Sequence, residues 1–304
     1  MQSPPPKDIK PAQWSSARHS PCVGVCQIDQ ATGWCLGCGR TGEEIGRWLG
    51  LTDADRLALW EELPGRLDKL AVQARLMPWN RAELAEWINA TLTEKSGAWV
   101  TGVPGAVAEF PAGAGRNLEV SVTGEEIIAR AADARFRVRL HDKLRAFTFG
   151  NDGPIVLALP KARATLPVAE TLTSLGPDID AIDFENREDA LFDFGVGRKT
   201  SRFCVRTRDE ELREALMAFS GEGWPRVMHD AGMLILAKSP HRVVETALAR
   251  IEVFARIPAP GRQSPDGAHT HFLPSFLQSG DEAPAGLSVP EFALSVAIYY
   301  PRKT

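Results

Sequence analysis

Four of the chain's five cysteines fall within one short stretch, Cys22-Val-Gly-Val-Cys26 and Cys35-Leu-Gly-Cys38. The C-x3-C-x8-C-x2-C spacing makes two close pairs separated by a short turn, and each pair can bend into a tight loop that points both sulfurs at one ion. Zn2+ takes four thiolates and so does an iron-sulfur cluster, so the ligand count leaves both open. The C-x2-C-G half has the form of a zinc knuckle and no three cysteines share one run, which makes zinc the first expectation and a cluster the alternative. Four sulfurs close the site to water, so the metal would hold the fold and do no chemistry. Arg40, Arg47 or backbone N–H groups are expected to offset the excess negative charge of the thiolates. The plainer alternative, four buried free thiols, does not explain the paired spacing.

Two further groups carry chemistry. In Ser264-Pro-Asp-Gly-Ala-His269-Thr-His271, an extended backbone would turn both imidazoles to one side, where they can bind one metal ion, with Asp266 or Glu282 as a carboxylate ligand. The pair is similar to the H-x-H of cupins, but their glutamate follows within a few residues and Glu282 stands further away. With no third ligand in evidence, the expectation is two loop histidines that hydrogen-bond to backbone. The other group centres on Cys204. On a strand it shares a face with Arg202, Arg206 and Arg208, guanidinium neighbours that favour a reactive thiolate or an anion-binding site. A buried inert thiol beside a solvated basic face is the plainer outcome. His229-Asp230 and His241 are available as partners, though no spacing assigns them.

The segment from Ser20 to about Leu70 resembles a small bacterial four-cysteine domain of unknown function, commonly labelled a predicted iron-sulfur protein. The resemblance rests on Ser20-Pro21-Cys22, Cys26, Gly33-Trp34-Cys35, Gly37-Cys38, Arg40-Thr41, Glu44-Ile45 and Trp48. It implies a metal-binding module and brings no reaction with it.

Capping signals and periodicity predict the helices and strands that carry these groups. Residues 1–19, proline-rich and polar, should form a disordered tail, with the four-cysteine module over 20–70. Thr41-Gly-Glu-Glu44 and Thr52-Asp-Ala-Asp55 predict two short helices, the second stopped by Pro64-Gly65. Asn80 caps a connecting helix within 71–95, with Leu84, Trp87, Ile88 and Leu92 at helical spacing. Over 96–304 period-two runs predict strands at 118–122, 136–140 and 155–159 and a central strand at 292–299. Phe203-Cys-Val205 is expected to lead into a helix through Leu212, Leu216 and Phe219. Met233–Ala237 is expected, in the same way, to be a strand leading into a helix through Val243, Val244, Ala247, Leu248 and Ile251, opened by Ser239-Pro240. The fold class expected is α+β: a small helical metal-binding module followed by a larger layered α+β domain.

Composition narrows the function. With 35 basic and 39 acidic side chains and a formal charge of −4, the chain has no overall attraction for nucleic acid. No stretch reaches the length of about 18 apolar residues that a spanning helix needs, and the N-terminus lacks the apolar core of a secretory signal. Cysteines grouped for metal suit a reducing cytoplasm. No dinucleotide, Walker or G-x-S-x-G motif is present. The leading expectation is a cytoplasmic accessory protein with a structural metal site that binds a protein partner or a small anionic ligand. The alternatives are a metal-dependent enzyme using His269 and His271 and an iron-sulfur redox protein.

Overall fold

The computed structural model describes residues 20–21, 28–29, 32–35, 38–70, 74–149, 153–167, 169–196, 198–259, 266–284 and 287–302. Cys22, Cys26 and the expected tail lie outside the described residues. First come α1 (Gly42–Arg47), a 3-10 turn (Trp48–Gly50) and α2 (Asp53–Lys69), then β1 (Ala74–Leu76) and α3 (Arg81–Thr93). A run of strands follows: β2 (Ser96–Val103), β3 (Ala106–Gly113), β4 (Glu119–Val122), β5 (Glu126–Arg130), β6 (Ala134–Arg139), β7 (Arg145–Phe149) and β8 (Ile155–Pro160). Next are α4 (Lys161–Ala164), β9 (Thr173–Pro177), β10 (Ala190–Asp193), β11 (Arg202–Thr207), α5 (Glu210–Ala218) and α6 (Trp224–Lys238). The chain ends with β12 (His241–Glu245), β13 (Ala249–Val253), β14 (His269–Phe272), α7 (Pro274–Ser279) and β15 (Ala293–Pro301).

The α+β class is as expected, in the form of two large antiparallel sheets. One has seven strands in the order β1-β7-β8-β15-β2-β3-β14, the other eight in the order β4-β5-β6-β13-β12-β11-β10-β9. Their inner faces meet in one buried cluster, to which Trp99, Phe110 and Tyr299 contribute from the first sheet and Phe136, Val244 and Ile251 from the second. This is the face-to-face packing that period-two strands produce. The capping box at Asn80 is formed, with the Glu83 backbone N–H donating to Asn80 Oδ1 at 3.0 Å and the Asn80 N–H to Glu83 Oε2 at 2.9 Å. The helix it starts is more than a connector. Leu84, Ile88 and Leu92 enter the sandwich core, and β1 from the same segment joins the first sheet.

The outer face of the seven-stranded sheet is covered at its β1 end. Trp48, Leu59, Trp60 and Leu63, with Cys35 and Cys38, bury Ala74, Leu76, Phe147, Ala158 and Ala293. This burial explains why α2 runs through Pro64 to Lys69 instead of stopping there. Proline removes one helical hydrogen bond, but Leu59, Leu63 and Leu67, four residues apart, are buried on one stripe.

A second correction concerns 224–253. Residues 233–237 belong to helix α6, whose buried stripe is Val227, Ala231 and Ile235, and the segment expected to be a helix is the hairpin β12–β13. Ser239, taken for an N-cap, is in the left-handed conformation at φ 47 and ends α6. Both strands of the hairpin are buried on both faces, so they lack the alternation that announces a strand. No helix among the described residues is long and apolar enough to cross a membrane.

Candidate metal centre

The β2–β3 hairpin turns on Pro104-Gly105, two residues between paired Val103 and Ala106. Proline fixes the first turn position, and Gly105 takes φ +91 at the second, where a side chain would be strained. A Cβ there would also stand 2.7 Å from the Leu277 backbone nitrogen, so α7 packs directly on the turn. The Leu273 N–H donates to the Gly105 carbonyl at 2.7 Å. Fixed at this end, β14 pairs with β3 so that His269 lies opposite Glu109 and His271 opposite Val107.

Ala106, Ala108, Phe110 and Ala112 of β3 point into the sandwich core, which puts Glu109 on the outer face. His269 and His271 share that face with it. His269 Nε2 is 2.9 Å from His271 Nε2 and 3.7 Å from Glu109 Oε2, and one donor atom from each of the three residues lies within 4.8 Å of the others. Two nitrogens bound to one ion at about 2.1 Å with an angle near 90° stand about 3 Å apart, which the imidazoles match. His269 Nδ1 is 2.9 Å from the Gly267 carbonyl, which can only accept, so Nδ1 carries a proton and Nε2 is the ring nitrogen that faces His271. Burial and the neighbouring His269 lower the pKa of His271, against the pull of Glu109, and favour the neutral ring that a metal binds.

These three side chains form part of the wall of an open cleft of about 430 Å³, which Asp266, Tyr300 and Arg302 also line. The three donor groups lie on the sheet side and face the open cleft, an arrangement that a two-histidine, one-carboxylate site would have. The expected backbone hydrogen bond is present at His269, but the pair lies on a strand and not in a loop, and Glu109 stands beside it as a third potential donor. Of the carboxylates expected to join them, Asp266 lines the cleft and Glu282 is exposed outside the cluster. Glu109 was not found from sequence because it is 160 residues from His269 and only strand register brings them together. The one signal available was its outward place in the alternating run Ala106–Ala112.

At the cysteine site, Cys35 and Cys38 are both buried. The fully buried Arg40 donates from Nε to Cys38 Sγ at 3.5 Å and from Nη2 to Ser20 Oγ at 3.1 Å, and its guanidinium stacks 4.8 Å from the Trp48 ring. Arg40 Nη1 is buried with no partner among the described residues. A buried cation held against sulfur fits the charge of a thiolate metal site. Arg47 is exposed and paired with Glu43 instead.

Of the remaining candidates, Arg202, Arg206 and Cys204 are tied up within the fold, while Arg208 and His229 are exposed. Arg206 is fully buried, donating to Glu252 at 2.8 Å and Asp178 at 3.0 Å. Arg202 pairs with Glu245, and Arg208 reaches Asp189 at 3.2 Å. The segment 178–189 crosses this face of the eight-stranded sheet and brings carboxylates to it. The arginines expected to face solvent or receive an anion therefore meet the chain's own acids. Cys204 is fully buried with Leu191 and Val243, and burial pushes its thiol pKa well up, the opposite of an activated thiolate. His241 approaches Arg206 at 3.3 Å, and His229 with Asp230 lies exposed on α6.

The model described as "Family of unknown function (DUF6925)" matches residues 83–304, which include Glu109, His269 and His271. The model described as "Protein of unknown function (DUF1289)" matches residues 20–67 and bears out the N-terminal resemblance. No curated protein and no solved structure matches the chain.

Proposed function

Because the chain belongs to the family of unknown function that spans its residues 83–304, its role has to be argued from the site, and we propose a metal-dependent enzyme whose centre is Glu109, His269 and His271. The convergence of the three donor sets on one point above the sheet carries this reading. The accessory-protein expectation rested on the lack of a complete constellation, and Glu109 supplies the missing ligand. Two imidazoles and one carboxylate suit a first-row divalent ion better than Mg2+ or Ca2+. Such an ion, with positions open to the cleft, polarises a bound oxygen or activates water. The protein's part is to hold the ligands. The Gly267 carbonyl fixes the His269 tautomer and the β3–β14 register sets Glu109 against it.

The four cysteines are proposed as a separate structural site, with zinc as the first choice and an iron-sulfur cluster as the alternative. Buried Arg40 against Cys38 supports it, and its setting is the packing of α2 on the outer face of the sheet.

The test is elemental analysis and absorbance of the full chain purified without oxygen, beside a variant with His269→Ala and His271→Ala. The expected result is loss of one divalent ion in the variant with the cysteine-bound metal retained. Equal metal content in the two proteins would refute the histidine centre.

A further inference from the structure

The outer face of the sheet continues from the metal centre toward the end of β15 in ordered rows. Glu109, Val100 and Ile298 are register partners in one row, and Pro111, Ala98 and Tyr300 in the next. Arg302 follows beside Ser96, its backbone N–H donating to the Ser96 carbonyl at 2.8 Å. Rows on one face are about 7 Å apart, which puts the Arg302 backbone about 14 Å along the strands from the row of Glu109. Arg302 nevertheless lines the same cleft, as do Asp266, Tyr300, Ala98, Pro111 and Pro301.

We infer that the cleft binds a small organic acid, with its carboxylate on Arg302 and an oxygen donor at its other end on the metal held by Glu109, His269 and His271. The inference rests on the metal centre proposed above. The separation of Arg302 from the metal ligands calls for a molecule of several carbons, since a single compact anion reaches one end only, and Ala98, Pro111 and Pro301 receive its hydrocarbon part. Arginine presents a planar pair of donors that matches a carboxylate. Tyr300, which lines the same cleft, offers a phenol hydroxyl as a further donor.

Charge makes the binding conditional. Glu109, Asp266 and Arg302 bring two carboxylates and one guanidinium to the cleft, one net negative charge. A divalent ion reverses that to one net positive charge, so an anion is attracted only after the metal is bound.

The experiment uses the full chain loaded with Co2+, whose visible bands report both metal uptake and ligand exchange. Succinate is titrated into the native protein and into Arg302→Gln after cobalt uptake has been measured for both, with inorganic phosphate as the compact-anion comparison. The expected result is equal cobalt uptake, a spectral shift with succinate, and binding about tenfold or more weaker in Arg302→Gln. Metal-free native protein is expected to bind succinate at least about tenfold more weakly as well. Equal succinate affinity in the two cobalt proteins, tighter binding of phosphate than of succinate, or undiminished binding without metal would each overturn the inference and leave the metal centre standing. Failure of the native chain to take up cobalt at the histidines would overturn the metal centre itself, and the inference with it.

Discussion

Glu252 shows how the charged residues in the eight-stranded sheet differ from ordinary surface pairs. Its carboxylate is fully buried and accepts from Arg206, from Arg250 at 2.7 Å and from the Ile182 N–H at 3.0 Å. Burial alone would raise its pKa, but Arg250 and Arg206 outweigh that and hold it below the usual range. Removing one partner from such a set leaves uncompensated buried charge. Glu252→Gln is therefore expected to cost about 3–5 kcal/mol by denaturant titration, whereas Arg213→Ala, in an exposed pair with Glu210, should leave the midpoint unmoved.

His241 belongs to the same layer. Burial and the nearby Arg206 lower its pKa to about 4. The unfolded imidazole takes its proton near pH 6.5 and the folded one only near 4, so stability is full above about 6.5 and falls as pH drops between these values. The lowered Glu252 adds a loss in the same direction below about pH 4.3. Unfolding midpoints measured from pH 7 to 4 should decline, and His241→Gln should flatten the upper part of the decline. A slope unchanged in that variant would assign the dependence to other groups.

The proposed metal centre depends on a hairpin turn. Gly105 combines φ +91 with direct contact to α7, and α7 follows β14. Gly105→Ala should destabilise the chain by about 1–3 kcal/mol and weaken metal binding, because the strained turn and displaced α7 shift His269 and His271 against Glu109. Measuring metal affinity beside stability separates this from a general loss of fold. If stability fell and metal affinity did not, the turn would have no part in setting the β3–β14 register.

Some elements of the fold could be read in the sequence and others could not. Helix α3 was legible because Asn80 and Glu83 form a local capping box, and β8 and β15 because their apolar runs are bounded by turns. The β12–β13 hairpin was not, since segment 178–189 buries its outer face as well as its inner one and hides the alternation. His269 and His271 could be picked out by their spacing. Glu109 could not, because a ligand supplied through strand register leaves no local pattern, and Arg206 looked solvated because its acidic partners come from distant segments.

For the whole molecule, the seven-stranded sheet organises both candidate metal sites. One face is the sandwich core, and the other carries the cysteine-bearing segment at the β1 end and the histidine cleft at the β14 end. The two sites differ in what they leave open: four sulfurs would enclose an ion, while two imidazoles and one carboxylate expose it to a cleft. Stability is thus expected from the first and chemistry from the second.

Anomalous diffraction at the metal edge, from crystals of the metal-loaded full chain, tests the proposed centre of Glu109, His269 and His271. A peak is expected about 2.1 Å from Nε2 of both His269 and His271 and from an oxygen of Glu109. A map with no peak at that point, or with an ion bound by the histidines while Glu109 turns away, would contradict it.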